Sequence, residues 1–186
     1  VIEAPNKKIY VTNSGDGTVS VYQGADLQQI GRIDVGGTPH GLRSAADGSV
    51  IVIADPVKGT VELIDPGTDQ VTGSIAVGSG PAQVAVSSDG RYAYTGTTEP
   101  PAVVKVDLTS RTVVGSVAVP TAPVQLYLTP DESTVISADQ GTREAAGHTV
   151  SLIDTTAMTL LRAVSTGAGP HGVVIDPTGT HAWVTN

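Results

Sequence analysis

Two of the four histidines in this 186-residue chain stand in the same phrase, Pro39-His40-Gly41 and Pro170-His171-Gly172. Imidazole changes charge near neutral pH, so it serves as a general base or as a metal ligand when a neighbour orients it. Each of these histidines is followed fifteen residues later by a polar side chain, Asp55 after His40 and Asn186 after His171. If the chain folds back over that distance, His40 and His171 with Asp55 form the catalytic candidates. The plainer reading is that the imidazoles cap a turn.

A second set of residues suits contact more than chemistry. Gln83 and Gln125 stand where the Pro-His-Gly phrase has its glycine, and Asp139 stands where Asp55 would recur. Arg143, Glu144 and His148 lie in "DQGTREAAGHTV", the most individual stretch of the sequence. These six side chains are the candidate ligand or partner face. No metal site is assigned. "NSGDGT" at 13 to 18 is oxygen-rich, but it lacks the further carboxylates and closing Glu of a calcium loop. There is no GxSxG, HExxH, Walker or GxGxxG sequence. Without cysteine there is no disulfide, thiolate zinc site or CxxCH haem attachment, and no cofactor is assigned.

What must position these residues is a repeat. The turn proline recurs at 39, 81, 123 and 170, and the strand-end polar position at 13, 55, 97, 139 and 186. Asp47, Asp89, Asp131 and Thr178 keep the same register. The spacings are 42, 42 and 47, so one unit carries a five-residue insertion. Each unit holds four short apolar runs between turn residues, as in "HGLRSA", "SVIVIAD", "TVELID" and "QVTGSIAV". Val, Ile and Thr suit pleated surfaces, and no helical period is present. Four strands in about 42 residues predict an all-β fold, a β-propeller of four-stranded antiparallel blades. The repeats run approximately over 9-50, 51-92, 93-134 and 135-181, with a partial one over 182-186. With strands lettered A to D outward from the channel, the pattern reads B-C-D, three full units, then A-B: seventeen strands.

The stretches "IYVTNSGDGTVSVY", "GTPHG", "VELIDPGTDQVTGSIAVGSGP" and "GPHGVVIDPTGTHAWVTN" resemble the YVTN family of β-propeller repeats, along essentially the whole chain. That family includes surface-layer proteins and neighbours the seven-bladed lactonases and the haem d1 propellers. The resemblance implies a segment of a seven-bladed ring. An open arc of four blades would leave two apolar faces of about 500 Å² each in water, worth about 12 kcal/mol per face. Missing blades, or self-association, are therefore expected to cover them.

The formal charge is −8, with no basic stripe, which argues against nucleic acid. No apolar run is long enough to span a membrane. The resemblance implies an extracellular, periplasmic or cell-surface location. The expected function is a non-catalytic binding or structural scaffold, more scaffold than enzyme. It would take a protein or small polar ligand on the face bearing the D-to-A and B-to-C turns. The alternative is part of a propeller enzyme, a lactonase-like hydrolase or a periplasmic haem- or quinone-dependent oxidoreductase, with its site at the channel mouth.

Overall fold

The computed structural model describes all 186 residues and contains strands and turns only. Four four-stranded antiparallel sheets follow one another along the chain. The first is β1 (Ile2–Glu3), β2 (Lys8–Asn13), β3 (Thr18–Gln23) and β4 (Gln29–Asp34). The second is β5 (Leu42–Ser44), β6 (Ile51–Asp55), β7 (Thr60–Asp65) and β8 (Gln70–Ala76). The third is β9 (Val84–Val86), β10 (Tyr92–Thr98), β11 (Pro101–Asp107) and β12 (Thr112–Ala118). The fourth is β13 (Gln125–Leu128), β14 (Thr134–Gly141), β15 (Ala146–Asp154) and β16 (Thr159–Ser165). A pair, β17 (Val173–Ile175) and β18 (Ala182–Val184), begins a fifth. The fold is a β-propeller segment of four complete blades and two strands of another.

The strand count is eighteen, not seventeen. The first blade has its own inner strand, β1, in which Ile2 pairs with Tyr10 and Glu3 with Ile9. Two paired residues are too few for period-2 patterning to reveal.

The core lies between blades, because each strand sends alternate side chains to opposite neighbours. On β6, Ile51 and Ile53 pack with Tyr10, Val19 and Val21 of the first blade. The intervening Val52 and Ala54 pack with Val84, Val104 and Val106 of the third. Both faces of that strand are therefore apolar, and all five of its residues are buried. The junction of the first two blades buries ten side chains, and the next two bury eleven and seven. The junction with β17 and β18 buries only Ile136, Ala138, Val150 and Val173. The rest of that flank is open: a cleft of 760 Å³ lies over Ile136, Val150, Leu152 and Val164, walled by Ala182 and Val184. It falls where a third strand of the fifth blade would stand. Its position is set by the fold alone, and none of the candidate site residues lines it.

Candidate functional site

Every D-to-A turn delivers its last residues onto the end of strand B of the same blade, which builds one face of the segment. The His40 N–H donates to the Ala54 carbonyl at 2.9 Å and the Ala54 N–H donates back to Gly41 at 2.8 Å. His171 and Gly172 pair with Thr185 in the same way. Both imidazoles stand exposed on this face.

His40 and Asp55 are adjacent in the backbone but not in their side-chain bonds. His40 Nδ1 lies 2.9 Å from the carbonyl of Ala82, the equivalent turn residue of the next blade. A carbonyl only accepts, so Nδ1 carries the proton and Nε2 of the neutral ring presents its lone pair outward. The Gly41 N–H donates to the same carbonyl. Asp55, fully buried, instead accepts the N–H groups of Thr38, Val57 and Lys58. A carboxylate at the end of an inner strand meets unpaired turn amides first, and they fill its oxygens. The His171 ring makes no protein hydrogen bond, and the Asn186 side chain packs against Gly167.

The two glutamines differ. Gln83 places its amide, and Ala82 its backbone carbonyl, where a side chain at Gly41 would stand; the fixed carbonyl is what requires glycine there, and the buried Gln83 Oε1 has no hydrogen-bond partner. Gln125 lies toward Gly172 of the fifth blade. Asp139 is fully buried, with Oδ1 accepting from Ser137 (3.0 Å) and Oδ2 from Thr149 (3.0 Å) and Ser151 (2.6 Å). Burial pushes its carboxyl above the usual range, and the three hydroxyls oppose that shift.

The insertion is no loose excursion. Its residues lengthen the β14–β15 hairpin: Gly141 pairs with Ala146, and a tight turn is closed by Thr142 N–H to Ala145 carbonyl at 2.9 Å. The base is tied to neighbouring turns, with Gly141 N–H donating to Ala122 and Gly169 N–H to Gly147. Arg143, Glu144 and His148 are exposed on it.

Sequence reasoning missed a charged cluster under this face. Glu62, nearly fully buried, accepts from Thr60 (2.7 Å) and Ser74 (3.0 Å) and ion-pairs with Lys58. A lone Glu inside the apolar run "TVELID" was the available signal. Also missed was Arg43, whose guanidinium reaches Tyr127 of the fourth blade (3.0 Å to the hydroxyl) past the small Ala85 of the third. The three pair with equivalent strand-B positions, so a small residue between them clears the way.

A segment of radially arranged four-stranded blades, with two exposed imidazoles on the face bearing the inner turns, defines the class: a β-propeller. Within that class, the chain belongs to the cytochrome D1 heme domain family, whose model matches residues 5–162. No curated protein sequence matches it. Among solved structures, Kuenenia stuttgartiensis hydrazine synthase is similar with a TM-score of 0.88 at 20% identity, over 96% of this chain and 52% of that one. A structure of dihydro-heme d1 dehydrogenase NirN in complex with DHE gives 0.76 at 19% identity, over 98% of this chain and 40% of that one. This chain therefore spans about half the length of those proteins, or less.

The family match corrects the expected partner. A face taking only a protein or a small polar ligand does not agree with membership of a haem domain family. The physical reason is that the turn side chains on this face recur 42 to 47 residues apart, so they leave no contiguous motif of the CxxCH kind for the sequence to show. The donor set fits such a group at one point: a surface imidazole whose other nitrogen is fixed on a backbone carbonyl is the arrangement typical of metal-ligating histidine.

Proposed function

We propose that this chain is part of a haem-type tetrapyrrole-binding propeller of a periplasmic redox protein, with the ring on the D-to-A/B-to-C turn face. The observation that carries the reading is the His40 imidazole, which donates Nδ1–H to Ala82 and directs Nε2 outward. Membership of the cytochrome D1 heme domain family supports it. It favours the oxidoreductase alternative over a passive scaffold.

In this reading His40 supplies a nitrogen to the iron, and His171, on the equivalent turn three repeats further along the chain, lies on the same rim. The Gln83 Oε1, which has no partner within the protein, would be left to accept a hydrogen bond from the bound group. The bound iron would supply one-electron chemistry. The protein's share is to fix the imidazole tautomer through Ala82 and to hold the turns rigid through Asp55. The approximate units 9-50, 51-92, 93-134 and 135-181, of YVTN type, are the modules that carry these turns, and blades beyond this segment complete the ring.

Titration with ferric protoporphyrin IX, followed by its Soret band, tests this. A shifted, saturable Soret band that His40→Ala weakens at least about tenfold, with His181→Ala unchanged, is the expected result. Equal binding by His40→Ala removes His40 from the site, and no binding by the parent chain overturns the reading.

A further inference from the structure

The repeat supplies its own comparison for the buried carboxylate at 139. The strand-B end, its ladder partner on strand C and the residue two further on form one three-residue cluster in each blade. In the first blade it is Asn13, which donates to Thr18 (3.1 Å) and Ser20 (2.9 Å). In the second it is Asp55, Thr60 and Glu62, with Lys58 and three backbone N–H groups compensating the charge. In the third it is Thr97 with Ala102 and Val104, and carries no charge. In the fourth it is Asp139 with Thr149 and Ser151, geometrically the first-blade cluster with a carboxyl in place of the amide.

Here nothing compensates the charge. Asp139 is fully buried and its only side-chain donors are the hydroxyls of Ser137, Thr149 and Ser151. The charged and titratable groups on elements around it include Arg143, Glu144, His148 and Asp154 of the hairpin, Tyr127 of β13, Arg162 of β16, His171 ahead of β17, and Tyr92, Tyr94, Glu99 and Lys105 of the third blade. None of them hydrogen-bonds or ion-pairs with it, and the D-to-A turn over 119–124 has no titratable side chain. A buried anion without a cation favours taking up a proton. The first-blade amide shows that a neutral group satisfies the same hydroxyls, since each can donate or accept.

We infer that Asp139 is a proton-binding site that positions the β14–β15 hairpin: protonated, it locks the hairpin root as Asn13 locks its own turn; ionised, it loosens it. The root is also where the Asp139 carbonyl accepts from Thr121 (2.8 Å) and where the ladder slips between Asp139 and Gly141. Proton uptake is thereby coupled to the B-to-C turn that carries the five-residue insertion. The direction of the carboxyl's shift agrees. Its folded value lies above the unfolded one, so the stabilisation is complete below the ordinary carboxylate value of about 3.9 and is lost as pH rises through the raised value.

The test compares the parent chain with Asp139→Asn, reading the thermal midpoint and the amide-exchange protection of residues 141–149 between pH 4 and 8, with protection corrected for intrinsic rates. The parent should lose hairpin protection across this range relative to the variant by roughly tenfold or more, while protection in β6 stays parallel. Parallel profiles throughout, or a variant less protected at every pH, would overturn the proposal. Should the variant fail to fold, the carboxyl 13C titration of Asp139 in the parent decides. A midpoint above the ordinary range supports the site, and one at or below it removes it.

Discussion

At the scale of single residues, the face is governed by how each buried charge is met. Asp55 has backbone donors, Glu62 has a cation and two hydroxyls, and Asp139 has hydroxyls alone. Lys58 matters most where Glu62 is concerned, because Glu62 is 1% exposed. Replacing Lys58 with Met leaves that carboxylate buried without a counter-charge, and should cost about 2 to 4 kcal/mol. Glu62→Gln keeps the shape and removes the charge, so its cost should be smaller, about 1 to 2 kcal/mol. Urea unfolding of both variants checks the order, and equal costs would mean that Lys58 does not compensate Glu62. Asp55→Asn should also destabilise the segment, since an amide nitrogen in place of Oδ2 cannot accept the Thr38 N–H even if Oδ1 keeps those of Val57 and Lys58.

At the scale of elements, what the sequence made legible was the repeat: four strands per unit and the turn positions; it did not show that Asp55 and Asp139 are buried, or that His40 and Asp55 bond to different partners. Strand β1 stayed hidden, because two residues carry no period. The insertion at 141–148 was legible as an addition but not as a hairpin extension. Its rigidity comes from bonds to Ala122 and Gly169, which neighbour it only after the blades assemble. The same holds for His40: its partner is the carbonyl of Ala82, one repeat away, and no side-chain pattern marks a carbonyl. Gly147 gives this scale its prediction. A Cβ there would run into the Asp139 carbonyl and the Thr121 hydroxyl, and the carbonyl is held in a ladder. Gly147→Ala should therefore raise amide exchange through residues 139–149 while leaving the first two blades protected. Uniform loss of protection would show that the fourth blade does not open on its own.

For the whole molecule, pH acts through two opposed sets of carboxylates. Asp47, Asp89, Asp131 and Asp176 cap the A-to-B turns, and Asp65 and Asp107 cap C-to-D turns; each accepts turn N–H groups or hydroxyls. Those bonds, led by Ser and Thr hydroxyls or by backbone N–H groups, hold all six carboxyls below the usual range. A folded value below the unfolded one gives stability that is present above about pH 3.9 and disappears as pH falls through the folded values. Asp139 has the opposite sign and weakens the fold as pH rises. The thermal midpoint should therefore pass through a maximum on the acid side of neutrality, fall steeply below about pH 4, and decline gently above the maximum. Because the six turn aspartates are spread from the second blade to the fifth, and the first blade shares its core with the second, acid should unfold the segment as one unit, with hairpin and inner strands losing protection together. The alkaline decline should instead be confined to the fourth blade and vanish in Asp139→Asn. Scanning the midpoint from pH 2 to 9 for the parent and that variant separates the two limbs. An acid limb that changes with the variant, or an alkaline limb that survives it, would mean that the opposed carboxylates do not set the pH response of this propeller segment.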